Sequence, residues 1–201
     1  MAVPSFLHRN PALRWMAWRR VTVIAQRLRQ ALRAVANGDP TVVMDFGCGT
    51  GVLLGECNAR ADKVYGVDIV LRGSQLMVEE WQLDKVALLT PAQAEEAVPA
   101  GSVDVIVAAE VLEHVEPLAP TLALFSKWLK PTGKLLVSVP TENALYRFGR
   151  RLAGFSGHYH HSNAAAIHRE VTAAGFVPRR LEKIPWRDPF SIYWVIDYQR
   201  P

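Results

Sequence analysis

The sequence predicts an α/β domain: a seven-stranded, mostly parallel sheet with helices on both faces and an antiparallel last strand. Three observations predict it. From Thr41 onward, short runs rich in Val, Ile and Leu alternate with helix-patterned segments, the mark of repeated βαβ units. The last two strand-like runs have no helix between them, so they pair as an antiparallel hairpin. A turn with glycine at every second position, Gly47-Cys48-Gly49-Thr50-Gly51, follows the first strand directly.

The elements follow in order. Asn10 to Ala36 reads as one long basic helix, with Leu13, Ala17, Val21, Ile24, Leu28, Leu32 and Val35 on one face. Arg14, Arg20, Arg27, Arg29 and Arg33 are expected mostly elsewhere, and Asn37 to Pro40 stop the helix. Thr41–Phe46 is a buried strand, followed by the glycine turn and a helix from Gly51 to about Arg60. Lys63–Asp68 is the second strand, with a helix from about Arg72 to Leu83 behind it. Lys85–Thr90 is the third and Ser102–Glu110 the fourth. The helix Pro117–Lys130 then carries Leu118, Leu122, Phe125 and Leu129 as its inner stripe. Gly133–Pro140 is the fifth strand, entered from Lys130-Pro131-Thr132-Gly133, a surface turn. The polar and aromatic stretch Thr141–Ser162 interrupts the alternation. A helix from Asn163 to Ala174 stops at Gly175, and Phe176–Ile184 and Phe190–Gln199 close the chain. Gly73, Gly101, Pro91 and Pro99 read as turn residues. The organisation expected is one domain over residues 41–201, with residues 1–40 as a basic helix packing on it or capping it.

Composition narrows the function classes. The chain has 201 residues, half of them hydrophobic, and a net charge of +4, which permits an anionic partner without demanding one. Cys48 and Cys57 form no C-x-x-C pair, so neither a disulfide framework nor a zinc set is indicated. The apolar runs are too short to span a membrane, and no secretion signal is read, so a cytoplasmic location is expected.

The first turn carries the most information. In an open parallel sheet the ligand lies beyond the carboxyl ends of the strands. Gly47 and Gly49 let the backbone turn tightly beside a ligand, and Gly51 lets the next helix pack close. The dinucleotide pattern G-x-G-x-x-G is not met, because Val52 stands at its third glycine. Asp45 argues further against a pyrophosphate: like charges about 4 Å apart in a partly buried site cost a few kcal/mol. A carboxylate suits a ligand that brings an ammonium group, and N–H groups at the helix start suit one that also brings a carboxylate. An amino-acid zwitterion satisfies both. Asp68, at the end of the second strand, is placed to accept both hydroxyls of an adenosine ribose. An amino acid at strand one and adenosine at strand two together describe S-adenosylmethionine.

Four motifs in order carry a resemblance from about Thr41 to Ile184. VVMDFGCGTG, VYGVDI, GSVDVIVAAEVLEHV and LKPTGKLLVSVP are similar to the first, second, fourth-strand and fifth-strand motifs of the class I S-adenosylmethionine-dependent methyltransferases. The small-molecule branch that includes ubiquinone and menaquinone biosynthesis enzymes is the nearest in pattern, and HYHHS…AGF resembles its late loop and helix. The resemblance implies a Rossmann-like fold and S-adenosyl-L-methionine as cofactor. It implies that Asp45, Gly47, Cys48, Gly49 and Gly51 surround the methionine moiety, that Asp68 holds the ribose and that Ile69 packs on the adenine. Gln93 stands near the place where many relatives have an aspartate for the adenine amine. Ala94 beside it and Ala109 at the end of the fourth strand complete the set. Cys48 fills a small slot in the turn.

Methyl transfer is an in-line displacement at a sulfonium, so orientation can carry much of the catalysis and no nucleophilic triad is expected. A base is needed only for a hydroxyl or an acidic carbon, and His114, His158 and His160 are the candidates. Glu110, Glu113 and His114 form E-x-x-E-H. This is either a metal site completed by His158, His160 or His161, or a structural signature with its histidine satisfied by hydrogen bonds; the reading adopted has no metal. His158 to His161 either touch the acceptor or make polar loop contacts. The N-terminal helix, with Trp15 and Trp18 among arginines, either packs on the sheet with its arginines solvated, caps the pocket, or lies on a membrane interface. Tyr146, Arg147, Phe148, Arg150 and Arg151 either grip an anionic or lipid-linked acceptor or form a surface helix. The expected activity is methyl transfer to a small-molecule or lipid-like acceptor at O or C. Two alternatives stand beside it: a catalytically silent cofactor-binding protein, and, more weakly, a metal-assisted RNA 2′-O-methyltransferase. No DNA partner is expected, and the oligomeric state is not readable.

Overall fold

Val42–Phe46 (β1) alternates sides: Val43 packs into one apolar layer, Met44 and Phe46 into the other, and all three are buried. A strand buried on both faces belongs in the middle of a parallel sheet. In the computed structural model, which describes residues 9–35, 40–141, 163–188 and 190–200, that is where it lies. It runs parallel to Lys63–Val67 (β2) on one side and Val103–Ala109 (β4) on the other. Val86–Leu89 (β3), Leu129–Pro140 (β5), Val177–Ile184 (β6) and Tyr193–Gln199 (β7) complete a seven-stranded sheet of order β3-β2-β1-β4-β5-β7-β6. β7 lies between β5 and β6 and is antiparallel to both. The predicted terminal hairpin is present, with its second strand inserted inward.

The helices flank the sheet in two layers. Pro11–Arg33 (α1), Leu54–Asn58 (α2) and Arg72–Glu80 (α3) contribute to the layer with Val43, Val105, Val107 and Val195. Pro91–Ala97 (α4), Leu118–Trp128 (α5) and Ala164–Ala173 (α6) contribute to the layer with Met44, Phe46, Ile106 and Val137. Phe125 is the centre of the second layer, edge-on to Phe46 at 4.9 Å between ring centres and beside Trp128 at 6.3 Å. Both Phe125 and Trp128 are fully buried. Phe125→Ala is therefore expected to lower unfolding free energy by about 3–5 kcal/mol, read from urea denaturation midpoints.

Several sequence expectations need correction. α1 ends at Arg33 rather than Ala36, closed at Ala34. Its arginines are not all solvated: Arg20 and Arg27 are buried. Arg27 reaches Glu182 at 2.5 Å and Asp197 at 3.2 Å, so carboxylates on β6 and β7 compensate its loss of water. Helical period placed these arginines beside the apolar stripe, and a partner from another element drew them inward. Pro91 starts α4 instead of merely turning the chain; Thr90 is its N-cap and Gln93 closes a capping box. Gly73 belongs to the first turn of α3, where a Cβ would meet the Thr50 Cα at 3.3 Å. The Lys130–Gly133 stretch lies within β5 rather than in a surface turn. α2 has only five residues and is shorter than expected.

Candidate cofactor and active site

The strand order reverses between β1 and β4, so the crevice at their carboxyl ends is the natural ligand site. Asp45 lies one residue before the end of β1, on the same pleat side as Val43, and is 2% exposed. Burial pushes its carboxyl up to about 7, and the nearby charge of Asp68 adds to this. Among the described residues no cation offsets either effect. A ligand ammonium placed there would do so.

The turn after β1 is stitched to β2. The Gly47 and Cys48 N–H groups donate to the Val67 carbonyl at 2.7 and 3.1 Å, and the Gly49 N–H donates to Asp68 Oδ2 at 2.8 Å. Gly51 N–H donates to the Cys48 carbonyl at 2.8 Å. These donors serve the turn's own architecture, so the glycines supply shape more than ligand hydrogen bonds. Gly47 has φ 80 and packs under Val111, whereas a Cβ on Gly49, at φ 54, would meet nothing within 4 Å. Asp68 Oδ1 also accepts from the Val70 N–H at 3.0 Å. Each carboxylate oxygen keeps acceptor capacity for a ribose hydroxyl. Ile69, beside it, is 82% exposed, an apolar surface unusual for a core-type residue.

The other predicted residues divide. Cys48 is buried, and burial followed by the Asp45 charge pushes its thiol up to about 12, which makes it inert. Ala109 ends β4 and is half-buried at the crevice. Gln93 is exposed, but its Oε1 already accepts from the Thr90 N–H and hydroxyl at 2.8 and 3.0 Å. The Ala94 methyl is fully buried in the α4–α5 layer, and its N–H donates to the Thr90 carbonyl. His114 is exposed on the 3-10 turn Leu112–His114 that follows β4. His158, His160 and His161, with Tyr146 to Arg151, lie outside the described residues.

Sequence reading missed Arg20 and Tyr193. Arg20 ion-pairs with Glu110 under α1, and its guanidinium carbon sits 5.0 Å from the centre of the Tyr193 ring. Glu110 also has a left-handed backbone, at φ 55. The only sequence signal for Arg20 was its position on the border of the apolar stripe. Among the described residues, no group of three His, Cys, Asp or Glu gathers closely enough to hold a metal ion.

The profile of the family described as methyltransferase domain matches residues 16–181, most of the chain and all of this crevice. The chain belongs to the class I S-adenosylmethionine-dependent methyltransferases. The malonyl-[acyl-carrier protein] O-methyltransferase of Halalkalibacterium halodurans is 29% identical over 143 residues, 68% of this chain and 51% of that one. The ubiquinone biosynthesis O-methyltransferase of Nitrosococcus oceani is 36% identical over 101 residues, 48% of this chain and 42% of that one. A probable protein arginine N-methyltransferase 6.2 of Oryza sativa subsp. indica is 37% identical over 112 residues, 52% of this chain and 27% of that one. The methyltransferase thus spans about half or less of the length of these relatives. N-methyltransferase NodS from Bradyrhizobium japonicum WM9, solved with S-adenosyl-L-homocysteine, superposes with a TM-score of 0.71 at 18% identity, covering 98% of this chain and 92% of that one. That likeness concerns the fold. The cofactor of the family is S-adenosylmethionine, and the crevice fits it. Among the described residues no cation offsets the buried Asp45 carboxylate, and a Cβ on Gly49 would meet nothing within 4 Å.

Proposed function

We infer that this methyltransferase transfers a methyl group from S-adenosylmethionine to a small-molecule or lipid-like acceptor, at O or C. The observation that carries the reading is the Asp45 carboxylate, buried at the end of β1 near Asp68 with no compensating cation among the described residues. In this reading Asp45 binds the ammonium of the methionine moiety, and Gly47, Cys48, Gly49 and Gly51 shape its seat. Asp68 accepts from the ribose hydroxyls. Ile69 lies along the adenine, with Gln93 and Ala109 around it, although the adenine amine must share the Gln93 oxygen with Thr90; the fully buried Ala94 supports α4 from beneath instead of touching the ligand. The bound cofactor supplies an electrophilic methyl on a sulfonium. The chain's own part is to orient acceptor and methyl and to exclude water. His114 at the crevice, with the sequence candidates His158 and His160, is the set from which a general base is drawn when the acceptor is a hydroxyl or an acidic carbon.

Two O-methyltransferases among the relatives support an oxygen acceptor. Residues 1–40 are proposed as an element of this same domain, since α1 packs against β4, β5 and β7. Trp15 and Trp18, 54% and 46% exposed beside Arg14 and Arg19, support peripheral membrane contact by a cytoplasmic protein. No helix among the described residues is long and apolar enough to cross a membrane.

Calorimetric titration with S-adenosylmethionine and S-adenosylhomocysteine tests the cofactor reading, with Asp68→Ala alongside. Losing charge-assisted hydrogen bonds to the ribose, worth about 1.5–3 kcal/mol, should weaken binding by roughly 10- to 100-fold. Equal binding by wild type and variant would remove Asp68 from the site. Label transfer from a methyl-labelled cofactor to pooled quinol, carboxylate and lipid acceptors tests turnover. Tight binding with no transfer to any pool would favour the silent binding protein.

A further inference from the structure

Within β4, Val105, Val107 and Ala109 pack into the α1 layer, and Ile106 and Ala108 into the opposite one. Simple alternation would send Glu110 away from α1. Its left-handed backbone, at φ 55, breaks the alternation, and its carboxylate ion-pairs with Arg20 of α1. A residue with a Cβ adopts that conformation only where surrounding contacts impose it. Two are visible: the Arg20 ion pair, and the Glu110 N–H donating to the Ser138 carbonyl of β5 at 2.8 Å. The next residue, Val111, presses on the cofactor turn so closely that a Cβ on Gly47 would lie 2.4 Å from its own Cβ. Arg20 also lies against Tyr193, the first residue of β7. One side chain from the N-terminal helix therefore joins the ends of β4 and β7 at the ligand edge.

We propose that Arg20 is a positioning residue for the cofactor site: by ion-pairing with Glu110 it holds the Glu110–Val111 corner against the glycine turn. The inference rests on the cofactor reading above. Burial works against both charges of the pair. At Arg20, Glu110, Tyr193 and Glu113 together outweigh it and raise the pKa, whereas at Glu110 burial outweighs Arg20 and the carboxyl is raised too, so the proposal stands on the geometry. The guanidinium is thus the cation that the carboxylate of Glu110 faces, which gives part of the E-x-x-E-H motif an internal partner.

The test compares wild type, Arg20→Met, Arg20→Lys, Glu110→Gln and the double variant R20M/E110Q. S-adenosylhomocysteine affinity and the urea midpoint are measured on each full-length protein. Arg20→Met is expected to weaken binding at least tenfold while the protein still unfolds cooperatively. Arg20→Lys keeps the charge without the planar fork and should recover part of the loss. The double variant should bind better than the product of the two single losses, the sign of a direct coupling. Wild-type affinity in Arg20→Met, with only the urea midpoint lowered, would reduce Arg20 to a scaffold role and overturn the proposal. If Arg20→Met does not fold, Arg20→Lys and Glu110→Gln decide: wild-type affinity in both overturns the proposal, and weakened affinity in Glu110→Gln upholds it. Failure of the wild type itself to bind would instead sink the cofactor reading, a result separable from all of these.

Discussion

Asp45→Asn is expected to weaken cofactor binding by roughly two to four orders of magnitude and, at the same time, to make the ligand-free protein more stable at pH 8. Both effects come from one buried charge. In the folded state burial, with Asp68, raises the carboxyl from 3.8 to about 7. The folded chain therefore holds more protons than the unfolded chain between those values. This group's contribution to stability is fully present below about pH 4 and is lost as pH rises through about 7. Above that, the folded apo-protein keeps out of water a carboxylate that no cation among the described residues offsets. Asparagine keeps the shape and removes the charge. The melting temperature of the variant should exceed wild type by at least about 4 °C at pH 8, with the gap closing toward pH 5. Affinity for S-adenosylmethionine should fall by roughly 150- to 5,000-fold, since the ligand ammonium loses a desolvated partner worth about 3–5 kcal/mol. In the wild type, binding should release protons near pH 7 and weaken below it, which titrations in buffers of different ionisation enthalpy would show. Undiminished binding by Asp45→Asn would overturn the assignment of Asp45 to the ammonium.

Alanine at Gly47 and alanine at Gly49 should fail in opposite ways. At Gly47 the left-handed backbone, φ 80, meets a clash, with Val111 Cβ at 2.4 Å. Strain and overpacking together should cost about 4 kcal/mol and take binding down with the fold. Val111→Gly in the same chain removes the clashing atom and should restore part of the stability. At Gly49 a Cβ meets nothing within 4 Å, and φ 54 is a conformation that alanine reaches for about 1–2 kcal/mol. Gly49→Ala should therefore melt within a few degrees of wild type yet bind S-adenosylhomocysteine poorly, because the new methyl enters the ligand's space. Melting curves and calorimetry on the two variants separate the cases. Wild-type affinity in Gly49→Ala would show that the ligand lies elsewhere.

Much of the fold was legible because local rules and tertiary structure agree on it. Buried strands such as VVMDF leave little choice: residues apolar on both sides must be covered on both sides, which needs a parallel sheet between two helical layers. The glycine turn was legible because positive φ at Gly47, Gly49 and Gly51 nearly demands glycine. Asp45 and Asp68 were legible because a carboxylate placed at a strand's end beside such a turn needs a reason. α4 was missed because Pro91 was read as a turn residue and Thr90 as the end of the third strand, although a proline at the first helical position and a Thr…Gln capping box start helices.

What the sequence by itself determined is the alternation of elements, the shape of the cofactor turn and the two acids that flank it, since each depends on residues near in the chain. What only the tertiary structure decided is the fate of the charged residues on α1 and at the end of β4. Arg20 and Glu110 are 90 positions apart, as the numbering of this chain shows. A guanidinium is buried only where a carboxylate arrives to meet it, and a left-handed glutamate persists only where neighbours hold it. Those partners come together through the packing of α1 on β4 and β7, which no local pattern encodes.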